Sequence, residues 1–133
     1  MASRLESDIR AVKVGLVKGI EDSIAELALS VFSSVVLATP VDTGRARGNW
    51  QPSIGDPITS ETGNTDKGGG TTIAKGNGLF ARYEFGKKIF ISNNVPYIQR
   101  LNEGHSQQAP AGFVQKAIIV GIRNLDRQGD IFS

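Results

Sequence analysis

The chain reads as an α+β domain, with a long N-terminal helix and a C-terminal helix packed on a small, mainly antiparallel sheet that carries a long flexible loop. Three observations predict this class. Apolar residues recur at steps of three and four from Leu5 to Val35 and again from Phe113 to Ile122. Strand character is clearest in two short stretches, Gly48–Ile54 and Lys88–Ser92. Between them lies a polar, glycine-rich stretch that cannot bury a core face. At 133 residues the chain forms one domain over 1–133, with no internal repeat.

The first element spans 4–39, because Leu5, Ile9, Val12, Leu16, Ile20, Ile24, Leu27, Val31 and Val35 fall on one stripe. At about 1.5 Å per residue it measures roughly 50 Å, more than a domain of radius ~14 Å needs. The helix is therefore expected either to bend at Gly15 and Gly19 or to project and pack on another subunit. Pro40 stops it, since the residue before proline avoids the helical region. Thr39 to Arg45 then form a turn, in which the Asp42 carboxylate is expected to accept a backbone N–H two residues on and Gly44 to supply a positive φ. In the strand Gly48–Ile54, Pro52 marks an edge position or the strand's end, and Trp50, the single tryptophan, is a core anchor.

Residues 55–70 hold five glycines and read as a mobile arm or a long hairpin tip. Thr71–Arg82 fits either a short helix weakened by Gly76 and Gly78 or a strand. After the strand Lys88–Ser92 and an Asn93-Asn94 turn, Pro96 suits the first position of a helix running to Glu103. Gly104 is the expected cap of that helix. The last helix covers 112–125, and the tail beyond it is expected to order only if a partner holds Ile131 and Phe132.

Composition excludes several kinds of chemistry. Cys is absent, which removes a disulfide scaffold, a thiol nucleophile and a cysteine zinc site, and one His leaves no histidine cluster for a metal. Gly68–Gly70 followed by Thr71 lacks the lysine that a phosphate loop requires after its glycines. Glu84, Glu103, Asp42 and Asp56 sit in no frame that pairs two carboxylates, His105 has no second ligand at a recognisable spacing, and Ser106 lacks a nucleophile elbow. No catalytic residue, metal or cofactor is expected. The N-terminus has no apolar segment behind a basic one, and the apolar stretch around Val35–Ala38 is too short to span a bilayer. Synthesis in a cytoplasm and no membrane contact are expected.

The formal charge of +2 is only mildly basic. Its excess lies in residues 41–100, with eight Lys/Arg against five Asp/Glu. The interleaved Phe80, Arg82, Tyr83, Phe85, Lys87, Lys88 and Phe90 allow two readings. In one, aromatics stack on single-stranded bases while cations track phosphates. In the other, which is favoured, the pattern is that of an amphipathic strand pair.

Two segments carry a more specific signal. Thr39-Pro-Val-Asp-Thr-Gly-Arg-Ala-Arg-Gly-Asn-Trp-Gln51 and Ile91-Ser-Asn-Asn-Val-Pro-Tyr-Ile-Gln-Arg-Leu-Asn-Glu-Gly-His-Ser-Gln-Gln-Ala-Pro-Ala-Gly-Phe-Val114 together cover 37 residues. They resemble the tail-completion proteins of long-tailed bacteriophages, also described as head–tail joining or minor tail proteins. In that family a T-P-V-D-T-G-R-x-R-x-x-W segment follows an N-terminal helix, and an I-S-N-N-x-P-Y-x-x-x-L-x-x-G-x-S-x-Q-A-P-x-G-F-V segment leads into the last helix. Residues 55–70 follow no fixed pattern, and nothing is carried over there.

The resemblance implies a non-enzymatic virion subunit of the phage neck that forms a ring, commonly a hexamer. The ring would join the tail tube or tail terminator to the head-completion or connector protein, with DNA passing non-specifically through its channel. It directs attention to Asp42, Thr43, Gly44, Arg45, Trp50, Asn93, Asn94, Pro96, Tyr97, Leu101, Gly104, Ala109 and Pro110 as motif and interface residues. Lys67, Lys75, Lys87 and Lys88 lie outside both motifs and are candidate channel cations by their charge alone. Alternative readings are a tail terminator or other minor tail component and, in a different class, a weak nucleic-acid-binding module using residues 82–90.

Overall fold

A computed structural model gives the fold of residues 3–128. The elements run α1 (Arg4–Ala38), α2 (Arg45–Gly48), β1 (Gln51–Ile54), α3 (Gly70–Phe80), β2 (Ile89–Ser92), α4 (Ile98–Asn102) and α5 (Phe113–Gln128). This is the α+β arrangement expected: a long N-terminal helix, a C-terminal helix and a two-stranded antiparallel sheet. The expectation for Ile131 and Phe132 concerns residues outside those described.

Helix α1 begins at Ser3, whose hydroxyl accepts the Glu6 N–H at 3.1 Å. It continues unbroken through Gly15 and Gly19. Its first thirteen residues are all exposed, so of the two expectations for its excess length it is projection that holds. Burial begins further along, where Phe32, Val35 and Val36 enter the core with Trp50, Phe80 and Ala117. Phe32 meets Phe80 edge to face, with ring centroids 5.7 Å apart.

Two glycines determine how the helices approach. A Cβ on Gly121 would lie 2.7 Å from the Val31 Cα, so α5 crosses α1 backbone to backbone. Ser30 and Ser34 of α1 donate to the Gly121 and Ala117 carbonyls, each at 2.6 Å, and this descending order sets α5 antiparallel to α1. A Cβ on Gly76 would lie 2.5 Å from the Phe32 ring. Gly76 thus weakens α3 in isolation but is where that helix packs against Phe32, and of the stretch 71–82 residues 71–80 are helix and Ala81 and Arg82 a turn.

Several boundaries differ from expectation. The strand foreseen over 48–54 is confined to 51–54, because Arg45–Gly48 wind into a helical turn after Gly44 at φ +88°. Its register pairs Gln51 with Ser92, Pro52 with Ile91, Ser53 with Phe90 and Ile54 with Ile89. Pro52 is accommodated because each strand of a two-stranded sheet has an open edge. Pro96 is not the first residue of α4, which starts at Ile98 after Tyr97. Gly104 caps that helix as expected, at φ +100°, with the Gly104 and His105 N–H groups donating to Leu101 and Arg100.

Gly121→Ala is expected to lower stability by about 1–3 kcal/mol in urea unfolding, since its methyl meets backbone that cannot turn aside. Gly78→Ala, at a position with nothing within 4 Å of the added carbon, should instead raise stability by about 0.5–1 kcal/mol through helix propensity.

Candidate functional site

The site is built where α1 ends. A helix terminus leaves carbonyls without partners, and here side chains from the first motif supply the donors. Thr39 donates its hydroxyl to the Val35 carbonyl at 2.7 Å and accepts the Trp50 indole N–H at 2.7 Å, both inside the core. Arg47 donates one nitrogen, Nη2, to the Leu37 and Thr39 carbonyls at 2.9 and 2.8 Å, and the other, Nη1, to the Lys67 carbonyl at 2.7 Å. The guanidinium therefore lies at the negative end of the α1 dipole. Its Nε is buried without a partner among the described residues.

The turn leading into α2 is made differently from the sequence expectation. Thr43, not Asp42, supplies the acceptor: its Oγ1 takes the Arg45 N–H at 3.2 Å. Asp42 stays exposed and makes no hydrogen bond among the described residues. Gly44 is required twice, by its left-handed φ and because a Cβ there would stand 2.7 Å from the Lys67 backbone nitrogen.

Residues 55–69 form no helix or strand, in keeping with their composition. They do not stand away from the fold as a free arm. Asn49, fully buried, donates to the Arg45 carbonyl and accepts the Thr62 N–H at 2.9 Å, and Asn94 donates to the Ile58 carbonyl at 2.9 Å. Arg45 holds both carboxylate oxygens of Glu61, at 3.0 and 2.7 Å, and its guanidinium lies 5.4 Å from the centre of the Tyr97 ring. The segment ends on Asp66, whose carboxylate accepts from the Gly69 N–H at 3.0 Å and from both the backbone and the hydroxyl of Thr72 at 2.8 Å. These bonds open α3 and hold the Asp66 carboxyl below its ordinary value, the Thr72 N–H foremost, with burial opposing and Arg47 assisting.

The second motif closes onto the first. Gln108 uses both ends of its amide on the backbone of one residue, donating to the Val41 carbonyl at 2.8 Å and accepting the Val41 N–H at 2.9 Å. Asn93 donates to the Ala46 carbonyl at 2.8 Å. A cleft of about 240 Å³ lies between the two, bringing Asp42, Thr43, Gly44, Arg45, Tyr97 and Leu101 together. His105 and Ser106 reach its rim, and the Ser106 hydroxyl accepts the Gln108 N–H at 3.1 Å.

The other candidates take different places. Trp50 and Ala109 are buried, Gly104 is a cap and Pro96 is exposed. Pro110 lines a separate shallow groove with Ala109, Phe113 and Ala38. Lys67, Lys75, Lys87 and Lys88 are exposed and come from the 55–69 segment, α3 and the turn before β2, with Lys87 3.6 Å from Glu84. Residues 81–88 form turns, not half of a strand pair. Phe80 and Tyr83 are buried, so neither is available to stack on a base.

Arg47, Asn49, Asp66 and Gln108 organise the site without having been singled out. No local pattern marked them: Asp66 stands four residues before α3, whose N-cap is Gly69, and the bonds of the other three run to groups that the fold brings to them. Among the described residues no group of three His, Cys, Asp or Glu side chains is placed to hold a metal, and no helix is long and apolar enough to cross a membrane. No protein-family model, curated protein or solved structure matches the chain.

Arg47→Met is expected to lower stability by about 1–2 kcal/mol, because it removes three charge-assisted hydrogen bonds, one of them to the part-buried Thr39 carbonyl. Arg45→Met, which breaks an exposed ion pair, should change it by less than about 1 kcal/mol. Both are read from urea unfolding. For Asp66 the sign follows from its lowered folded value: the stabilisation is complete above the ordinary value of 3.8 and fades as pH falls below it, because the unfolded chain takes up the proton first. Asp66→Asn should therefore be less stable than wild type at pH 7 and should lose less stability between pH 4 and pH 2.

Proposed function

We propose that this chain is a non-enzymatic virion protein of a bacteriophage neck, a subunit of a ring that completes the tail and joins it to the head connector around the DNA channel. The observation that carries this reading is the meeting of the two motif segments. Val41 is 67 residues from Gln108, and Ala46 is 47 from Asn93, yet each pair is joined by hydrogen bonds. The residues through which the chain resembles tail-completion proteins thus form one continuous structure with a cleft at its surface, rather than two unrelated turns.

The shape of the chain supports the same reading. A helix that leaves its own domain and a sheet of only two strands suit a subunit whose neighbours complete it. The scattered exposed lysines suit a channel wall, because DNA has to slide and strong phosphate contacts would hold it.

The test is to disrupt the gene in its phage and examine the lysate by electron microscopy. Filled heads and finished tails should accumulate apart, and purified protein added to the lysate should join them. Joined particles in the absence of the protein would refute the reading.

A further inference from the structure

We propose that two copies of the chain join through the open edge of β2, each β2 pairing antiparallel with the other so that two hairpins become one continuous sheet. This contact lies beyond the ring reading and does not rest on it, because two copies use it up and leave the rest of their surfaces to other neighbours. The hairpin leaves backbone groups over. The Gly55 N–H donates to the Lys88 carbonyl at 2.8 Å, and this pair continues the register of Ile54 with Ile89. Bonded and non-bonded pairs alternate along an antiparallel ladder, so Phe90 and Ser92 bond to β1 while the N–H and C=O groups of Ile89 and Ile91 point away from it. Among the described residues, no backbone group outside the hairpin bonds to Ile89 or Ile91.

The two edges of the sheet are not equivalent. On β1 the outward positions are Pro52 and Ile54, and a proline offers no N–H. On β2 both outward positions carry a donor and an acceptor, and neither a proline nor a charge falls within Ile89–Ser92 to keep the edge single. A further strand is therefore expected on β2 alone, which rules out a β1-to-β2 chain of subunits and leaves β2 against β2. In that pairing the sequence is complementary to itself. Ile89 bonds to Ile91 of the second copy and Ile91 to its Ile89, which uses every outward donor and acceptor. Phe90 then stands opposite its own counterpart at the two-fold axis, and Lys88 falls opposite Ser92, not opposite another lysine. Ile89 and Ile91 pack against the core, so Phe90, on the other face, meets its counterpart outside it. A contact of one short strand is smaller than the interface of a permanent dimer, and the pairing is expected to be reversible.

Light scattering on the purified chain should show a dimer that forms as concentration rises. Phe90→Lys and Phe90→Glu each set like charges across the axis and should weaken the dimer at least about tenfold, while circular dichroism and urea unfolding show both variants folded. Mixed, the two variants set opposite charges across it, and a one-to-one dimer should return. The chain has no cysteine, so Phe90→Cys should oxidise to a disulfide-linked dimer, since residues opposed at a non-bonded position have Cα atoms about 4.5 Å apart. Ser53→Cys, beside Phe90 on β1, should not. Amide exchange at Ile89 and Ile91 should slow as concentration rises, whereas at Phe90, already bonded within the hairpin, it should not change. A wild type still monomeric at about 1 mM would refute the pairing and leave the edge to an extended segment of another protein. A dimer that neither charged variant weakens would refute this edge, and variants that fail to pair when mixed would refute this register. None of these outcomes alters the electron-microscopy test of head–tail joining.

Discussion

The structure depends on how the end of α1 is closed. A 35-residue helix that stops inside a domain presents several unpartnered carbonyls at its negative pole, next to the core. Pro40 forces the stop but supplies no donor. Thr39 and Arg47 supply them, and in doing so fix the next twelve residues. The Thr39 hydroxyl can bridge Val35 and the Trp50 indole only if the chain turns back at once. The Arg47 guanidinium can reach Leu37, Thr39 and Lys67 only from the α2 turn. The first motif is therefore a device for ending a helix while reversing the chain, and its glycine and threonine serve that geometry.

The same constraint explains why a polar, glycine-rich segment lies down on the domain. Residues 55–69 bury little apolar surface, so hydrogen bonding must offset the entropy of ordering them. The donors and acceptors come from groups already fixed by the α1 closure: the backbone around Gly44, the side chains of Arg45 and Asn49, and Asn94 from the second motif. Asp66 then turns the end of the segment into the start of α3. α3 places Gly76 under Phe32 and so returns to α1. A loop with no core of its own thus connects two parts of the core.

Legibility in the sequence followed the range of the interactions. The two long helices, Gly44 at positive φ, Gly104 as a cap and Trp50 as a core residue were readable, because each rests on periodicity or on the steric preference of one residue. The placing of 55–69, the helical state of α3 and the roles of Arg47, Asn49 and Gln108 were not. An arginine at position 47 looks like surface charge until the α1 carbonyls are brought to it, and Gln108 looks like any loop glutamine until Val41, 67 residues away, is beside it. Gly76 counted against a helix locally and favoured it globally, because a ring from another element fills the space its missing side chain leaves.

By itself the sequence determined an α+β chain with a helix longer than its own domain requires, no cysteine, and two motif segments in a fixed order. Those properties follow from residue type and spacing along one strand of polymer. The tertiary structure alone decided that the two segments form a single surface, that the intervening loop is held against it, and that the first thirteen residues of α1 stay exposed. Each of these is a pairing between groups tens of residues apart, and a hydrogen bond or an apolar contact is specified by position in space, which spacing along the chain does not encode.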